Sequence, residues 1–159
     1  MSRYEELCRS YEDQDKAAIQ YWQALQLKAV QIANGLRVYL EYPEKDYLGL
    51  DGVSKLPYVY VTNRGEKEEV SHFTELKGDR GAIDFDILIT LEVAAGVFPK
   101  NLLRISMHIG SVDGLLRVWS DNPAIKADIV PSQPSSYDAL YEQIFEALRT
   151  HLSDRPQLQ

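Results

Sequence analysis

The sequence predicts an α+β fold in two layers: an antiparallel meander sheet of about six strands, with a long N-terminal helix and a C-terminal helix on one face. Within residues 82–130, apolar side chains recur at every second position in runs separated by turn residues, a pattern typical of antiparallel strands. Residues 3–41 and 135–152 instead carry apolar side chains at spacings of three and four, as amphipathic helices do. Two layers let the helices and one sheet face bury these surfaces against each other.

The first helix is predicted over residues 3–41, which contain no proline and no glycine before Gly35. Its apolar stripe comprises Ala18, Trp22, Leu25, Ala29, Ile32, Leu36 and Leu40. A helix of this length spans about 57 Å, whereas a compact domain of this size is only about 39 Å across. The helix therefore either breaks near Asp13, within the polar run 12–16, or overhangs the domain.

An overhanging helix exposes a short apolar stripe formed by Tyr4, Leu7 and Tyr11. Such a stripe favours contact with a partner, either another protein or a second copy of this chain. In the alternative, the first helix is short and folds back onto the domain.

Two sheet segments follow the first helix. Residues 57–76 predict a hairpin, with a strand over 57–62, a turn at 63–66 and a less regular strand over 67–76. Residues 82–130 predict a four-stranded meander. Asp113–Gly114 indicates a two-residue type I′ turn, because both central residues of that turn need positive φ. Residues 121–124 predict a four-residue turn.

The turns also predict how the strands of the meander pair. The apolar residues fall on one face when the following pairs lie opposite each other: Leu91 and Ile105, Glu92 and Arg104, Val112 and Leu115, His108 and Trp119, Ser120 and Ile125, Arg117 and Asp128. The outer face then gains the opposite-charge pairs Glu92–Arg104 and Arg117–Asp128.

The last helix is predicted over residues 135–152. Ser135 and Asp138 approximate a capping box at its start. Residues 153–159 are expected to form a frayed tail.

Composition indicates a single domain over residues 1–159. Hydrophobic residues make up 45% and charged residues 26%, as in ordinary globular proteins. The net charge of −7 argues against binding to nucleic acid or to an anionic membrane surface. A single cysteine, Cys8, permits no intrachain disulfide. The polar N-terminus and the lack of a long apolar run predict a cytoplasmic protein without a membrane span.

The outer face of the predicted sheet carries the strongest candidate binding residues. His108 is expected to face Trp119, with the cationic side chains Arg104, Arg117 and Lys126 around them. An exposed tryptophan among such residues has the composition of a protein-binding hot spot. Alternatively, the aliphatic stems of Arg117 and Lys126 simply shield the indole from water.

Asp84 and Asp86 form a second candidate site, because alternate residues of a strand point the same way. Two carboxylates at this spacing are able to hold a divalent cation. The competing interpretation, which we favour, is a solvated strand face whose charges protect against aggregation. No cofactor is predicted.

The usual catalytic motifs are absent: the sequence has no P-loop, GxGxxG, HExxH, GxSxG, EF-hand loop or zinc-ligand spacing. Their absence argues against a metabolic enzyme without excluding one. The first hypothesis is a small acidic protein-interaction module that sequesters or inhibits another protein, as an immunity protein or a chaperone does. The alternatives are an enzyme or ligand-binding domain, with its pocket between helix and sheet or near Asp84 and Asp86, and a structural subunit of a larger assembly.

Overall fold

The computed structural model of the chain describes residues 2–49, 52–63, 76–94 and 100–154. In chain order its elements are α1 (Arg3–Tyr39), β1 (Tyr47–Leu48), β2 (Lys55–Leu56), β3 (Val59–Asn63), β4 (Gly78–Asp79), β5 (Ala82–Glu92), β6 (Lys100–Val112), β7 (Leu115–Ser120), β8 (Ile125–Ile129) and α2 (Ser135–Ser153). The predicted α+β layout, with a helix at each end and an antiparallel sheet between them, is confirmed.

The main sheet has six strands in the described part of the chain. Their order is β3, β5, β6, β7 and β8, and the short strand β4 pairs with the beginning of β5. Strands β1 and β2 form a separate two-stranded hairpin. Of the predicted hairpin 57–76, the first strand corresponds to β3, whereas the second lies outside the described residues apart from Leu76. The far end of the predicted C-terminal tail, residues 155–159, also lies outside them.

The short turns fix the pairing of β6, β7 and β8 as predicted. Val112 pairs with Leu115, and both Asp113 and Gly114 have positive φ, at 51° and 77°. The predicted pairs His108–Trp119, Ser120–Ile125 and Arg117–Asp128 are likewise confirmed.

The predicted pairing of β5 with β6 is wrong by four residues. Leu91 pairs with Asn101 rather than Ile105, and Glu92 pairs with Lys100 rather than Arg104. A shift by an even number keeps every side chain on its own face of a strand, so the alternation of apolar residues is equally satisfied by both pairings. The loop between these strands is too long to decide between them.

Helix α1 runs without a break through the polar run 12–16. Of the two alternatives that the sequence left open, the structure therefore has the overhanging helix. At 37 residues it extends for about 55 Å. Its buried side chains all lie in the second half of the helix: Leu25, Ala29, Ile32, Ala33 and Leu36.

The predicted capping box of the last helix is wrong. The residue that precedes α2 is Pro134, and no side chain caps the helix there. The hydroxyl of Ser136 instead donates to backbone carbonyls of the preceding turn, at Val130 and Gln133. The capping box belongs to α1, where Ser2 and Glu5 bind each other's backbone N–H.

The core lies between the helices and one face of the sheet. From the sheet it receives Ile83, Phe85, Ile87 and Ile89 of β5, together with the inward residues of the neighbouring strands. The second half of α1 covers β3 and β5, while α2 covers β8 through residues such as Leu140 and Ile144. Gln143 of α2 also binds the backbone N–H and C=O of Lys126, so its side chain pairs with β8.

The outer face of the sheet is not open along its whole length. Three side chains that point to the outer face are buried at one end of the sheet. They are Leu88 and Thr90 of β5 and Tyr58, the residue before β3. Tyr42 donates a hydrogen bond to the Thr90 carbonyl, and the Tyr47 hydroxyl lies 2.9 Å from the Thr90 hydroxyl. The segment after α1 therefore folds over this end of the outer face, and aromatic contacts of Tyr42 and Tyr47 with Tyr58 hold it there.

Candidate functional site

Acidic residues of β5 and basic residues of β6 form three contacts across the outer face. Each contact joins one acid and one base: Asp84 with His108, Asp86 with Arg104, and Glu92 with Lys100. We call this set the acid–base ladder. Two residues of the predicted binding cluster, Arg104 and His108, are thus held by acidic partners from within the sheet.

Two contacts of the ladder are largely withdrawn from water. The Asp86 side chain is fully buried and its partner Arg104 is 29% exposed. The side chains of Glu92 and Lys100 are 13% and 5% exposed. The hydrogen bond that Lys100 donates to Glu92 raises the pKa of the Lys100 ammonium. Such pairs are costly to break, because removal of one partner leaves the other charge in a poorly hydrated place.

His108 is positioned from three sides. Its Nδ1 lies 2.5 Å from Asp84 Oδ1, and because an ionised carboxylate only accepts hydrogen bonds, Nδ1 carries the proton. Its ring stacks on Trp119, with ring centres 5.1 Å apart. Its Nε2 lies 3.8 Å from a carboxylate oxygen of Asp121. The group that faces Nε2 is therefore not a hydroxyl or thiol for the imidazole to activate, and the geometry favours a structural role for His108 over a catalytic one.

Arg117 is the third predicted residue with an acidic partner. Its Nε and Nη2 donate to the two carboxylate oxygens of Asp128, at 2.8 and 3.3 Å. This contact holds the pKa of the Asp128 carboxyl below its usual value and raises the pKa of the Arg117 guanidinium. Lys126 differs from the other cations of the cluster, because its ammonium makes no direct ion pair within the described residues and acts on Asp128 only at longer range.

The hypothesis of a metal site at Asp84 and Asp86 gains no support from the geometry. The two carboxylates are directed to different bases of β6, His108 and Arg104. In the described ranges, no group of three or more histidine, cysteine, aspartate or glutamate side chains is arranged to hold a metal ion.

Two of the cavities that border the sheet are lined by described residues. The larger is a groove of about 730 Å³ whose walls include Arg117, Trp119 and Lys126 of the predicted cluster. The smaller, of about 360 Å³, lies between the end of α2 and β6 and is bordered by Leu103 and His151. Neither is lined by Asp84 or Asp86.

The first half of α1 is the other candidate surface. Every residue from 3 to 20 is exposed, so no face of this part of the helix is covered by the domain. We call residues 3–20 the projecting segment. Its large apolar side chains are open to water: Tyr4, Leu7 and Tyr11 are 75%, 70% and 70% exposed. Spacings of three and four residues place the three on one side of the helix.

Comparison with protein-family models, with curated proteins and with solved structures finds no match for this chain. Among the described residues, neither helix has a stretch long and apolar enough to cross a membrane.

Proposed function

We propose that this protein is an interaction module that binds another protein through the apolar stripe of its projecting segment, Tyr4, Leu7 and Tyr11. The observation that carries the proposal is the exposure of all three side chains on a helix whose other half is built into the core. Single exposed apolar residues are common on protein surfaces, but a contiguous set on a structured element is typical of a binding site.

The length of the projecting segment supports the same conclusion. In proteins most of the stability of a helix comes from the packing of its apolar face, and the projecting segment has no such packing on the domain along its whole length. The side-chain interactions found within it are local: the Ser2–Glu5 capping box and the exposed ion pair between Glu12 and Lys16. A bound partner would supply this packing by covering the apolar stripe of the segment.

The stripe continues the buried face of the same helix. Tyr4, Tyr11, Ala18, Leu25 and Ile32 follow each other at intervals of seven residues. Seven residues are about 20° short of two full turns, so the positions drift by about 80° from Tyr4 to Ile32 and stay within one broad side of the helix. A partner that covers the stripe therefore lies on the same side of α1 as the sheet and beside its end. This arrangement corresponds to an amphipathic helix laid into an apolar groove of another protein.

The charge of the projecting segment indicates which residues lie at the edge of the partner's groove. The projecting segment has five acidic residues and three basic ones, a net charge of −2, within a chain of net charge −7. On a helical projection, Glu5, Glu12 and Asp15 flank one side of the stripe. Pairing with a second copy brings two acidic segments together, whereas a groove with basic residues on its rim complements them. A basic protein held in this way is sequestered or inhibited by occupation of its groove.

The test compares capture by three forms of the tagged protein. The stripe variant combines Tyr4→Ser, Leu7→Ser and Tyr11→Ser. The control variant carries the same number of substitutions on the opposite side of the same segment: Arg9→Ser, Asp13→Ser and Gln20→Ser. All three control positions are exposed, and the changes leave the net charge unaltered.

We expect one stoichiometric protein to be recovered by the wild type and by the control variant, and its yield to fall at least tenfold with the stripe variant, a loss of about 1.4 kcal/mol or more. Equal recovery by all three forms would place binding elsewhere on the molecule. Recovery of the bait alone by the wild type would also contradict the proposal. Measurement of the molar mass of the purified protein separates a second copy from a different partner.

A further inference from the structure

The outer face of the sheet has a depression, because a row that includes two small residues lies next to a row of larger ones. Both rows cross the four strands from β5 to β8. The first row, from β5 to β8, is Ala82, Gly110, Arg117 and Asp128. The neighbouring row is Asp84, His108, Trp119 and Lys126. In the first row the two residues on β5 and β6 carry almost no side chain, while the neighbouring row has a stacked imidazole and indole. The surface is therefore low over two adjacent strands, about 4.8 Å apart, and high beside them.

The shape of this depression depends on glycine at position 110. A Cβ there would lie 3.2 Å from the Gly81 carbonyl oxygen and 3.6 Å from the Ala82 Cβ. The backbone of Gly81 lies beside this position, so a larger residue meets main chain rather than a side chain that is able to move. The resulting groove, of about 730 Å³, falls within the range usual for small-molecule sites.

The walls of the groove are cationic. Arg80, Arg117 and Lys126 line it, and Asp121 is the one carboxylate among its described lining residues. The Arg80 side chain is 93% exposed, and its Nε lies 3.9 Å from a carboxylate oxygen of the similarly exposed Asp79. Arg117 uses Nε and Nη2 for Asp128, which leaves Nη1 available. In a chain of net charge −7, such a concentration of cations at one groove favours an anion over a neutral or cationic ligand.

One further group in the wall is suited to a ligand. Trp119 is half-buried, and its indole provides an aromatic surface beside the cations.

We infer that this groove binds a small planar molecule that carries a phosphate or carboxylate group. The anion contacts the cationic side chains of Arg80, Arg117 and Lys126, and the planar part lies against Trp119. The site is separate from the projecting segment, and its occupancy does not depend on the proposed protein interaction.

Binding is measurable through the fluorescence of Trp119. The chain has two tryptophans, and Trp22→Phe leaves Trp119 as the single reporter. The probes are adenosine monophosphate and 4-hydroxybenzoate, each of which joins a planar ring to an anionic group, with adenosine and inorganic phosphate to represent the two halves of the nucleotide alone. We expect saturable binding of at least one planar anion with a Kd of about 1 mM or tighter. Adenosine and phosphate should each bind at least tenfold more weakly.

Substitutions in the groove locate the binding. Lys126→Gln removes a cation that makes no direct ion pair in the described structure, and we expect it to weaken binding at least fivefold. Ala82→Leu fills the depression and should abolish binding. Lys45→Gln changes an exposed lysine outside the groove and should leave binding unaltered.

Three results would overturn the inference: no saturable binding of either planar anion, adenosine binding as tightly as its monophosphate, or undiminished binding by both groove variants. If Ala82→Leu or Trp22→Phe fails to fold, the indole N–H resonance of Trp119 in the wild type and in Lys126→Gln gives the same comparison by NMR. Loss of protein capture by the stripe variant has no bearing on these results, so the two proposals fail independently.

Discussion

The fully buried Asp86 carboxylate on β5 is paired with the Arg104 guanidinium on β6. This pair lies near the middle of the acid–base ladder, between the contacts Asp84–His108 and Glu92–Lys100. Because the acids all belong to β5 and the bases to β6, the ladder joins the two longest strands of the sheet on the face opposite the core. The charges that the sequence suggested for binding therefore serve first to hold the sheet together.

Removal of Arg104 should be strongly destabilising. Arg104→Met keeps most of the side-chain volume but leaves the Asp86 carboxylate without its cation. We expect the free energy of unfolding to fall by about 3 kcal/mol, the lower end of the range for broken buried pairs, because Arg104 is partly exposed. Urea denaturation measures the change.

The matched control is Asp128→Asn, which breaks the more exposed pair with Arg117. Water solvates the cation that remains, so the loss should be clearly smaller. If both substitutions lower the stability equally, burial does not determine the strength of these pairs.

The strand pairing behind the ladder could be predicted from the sequence for some strands but not for others. Short turns determined the pairing of β6, β7 and β8, because a two-residue turn after Val112 leaves one choice of partner. The longer stretch of chain before Lys100 leaves several pairings of β5 with β6 possible. Alternation of apolar residues excludes odd shifts but not even ones, so Glu92 was assigned to Arg104 instead of Lys100. The face on which Arg104 lies was predicted from the alternation, but its partner Asp86 was not.

The projecting segment should contribute little to the stability of the isolated protein. Its side chains are exposed, and the stripe variant should change the free energy of unfolding by no more than about 0.5 kcal/mol. Ile32→Ala, in the buried half of the same helix, should cost about 2–5 kcal/mol. A comparable loss with the stripe variant would show that the segment packs on the domain.

The sequence does not determine whether α1 breaks near Asp13 or overhangs the domain. Tyr4 and Tyr11 have the same spacing as the buried residues of α1, and periodicity shows which side of a helix is apolar but not what covers it. The polar run 12–16 suggested a break, but its glutamate, aspartate, glutamine and lysine residues are compatible with a continuous helix. The S-x-x-E pattern of Ser2 and Glu5, by contrast, is a sequence signature of a helix start, and the structure has the capping box there.

Gly35 allows α1 and α2 to approach each other. A Cβ at this position would overlap the Tyr141 hydroxyl oxygen and lie 2.9 Å from its Cζ. Gly35→Ala should therefore destabilise the protein by about 1–3 kcal/mol, although alanine is the better helix former.

A double-mutant cycle tests this explanation. Tyr141→Phe removes the overlapping oxygen, so Gly35→Ala should cost less in that background than in the wild type. Additive effects of the two substitutions would show that the hydroxyl is not the obstacle.

Stability at alkaline pH should depend on Tyr141. Burial raises the pKa of its hydroxyl to about 12, compared with 10.0 for an unperturbed tyrosine. Between these two values the unfolded chain releases the proton while the folded protein retains it. The stabilisation is complete below pH 10 and is lost as the pH rises towards 12.

Tyr141→Phe removes this titration and should flatten the decline of stability over the same pH range. Thermal unfolding at several pH values measures both proteins. An equally steep decline in the variant would assign the effect to other groups, such as Tyr42, whose pKa is also raised by burial.

The most direct test of the central claim is amide hydrogen exchange along α1, measured in the free protein and in the complex recovered by capture. The account predicts that residues 3–20 exchange at least tenfold faster than residues 25–36 in the free protein, because no tertiary packing protects them. In the complex, exchange over Tyr4 to Tyr11 should slow at least tenfold. Strong protection of residues 3–20 in the free protein, or unchanged exchange in the complex, would contradict the claim that this segment is the binding surface.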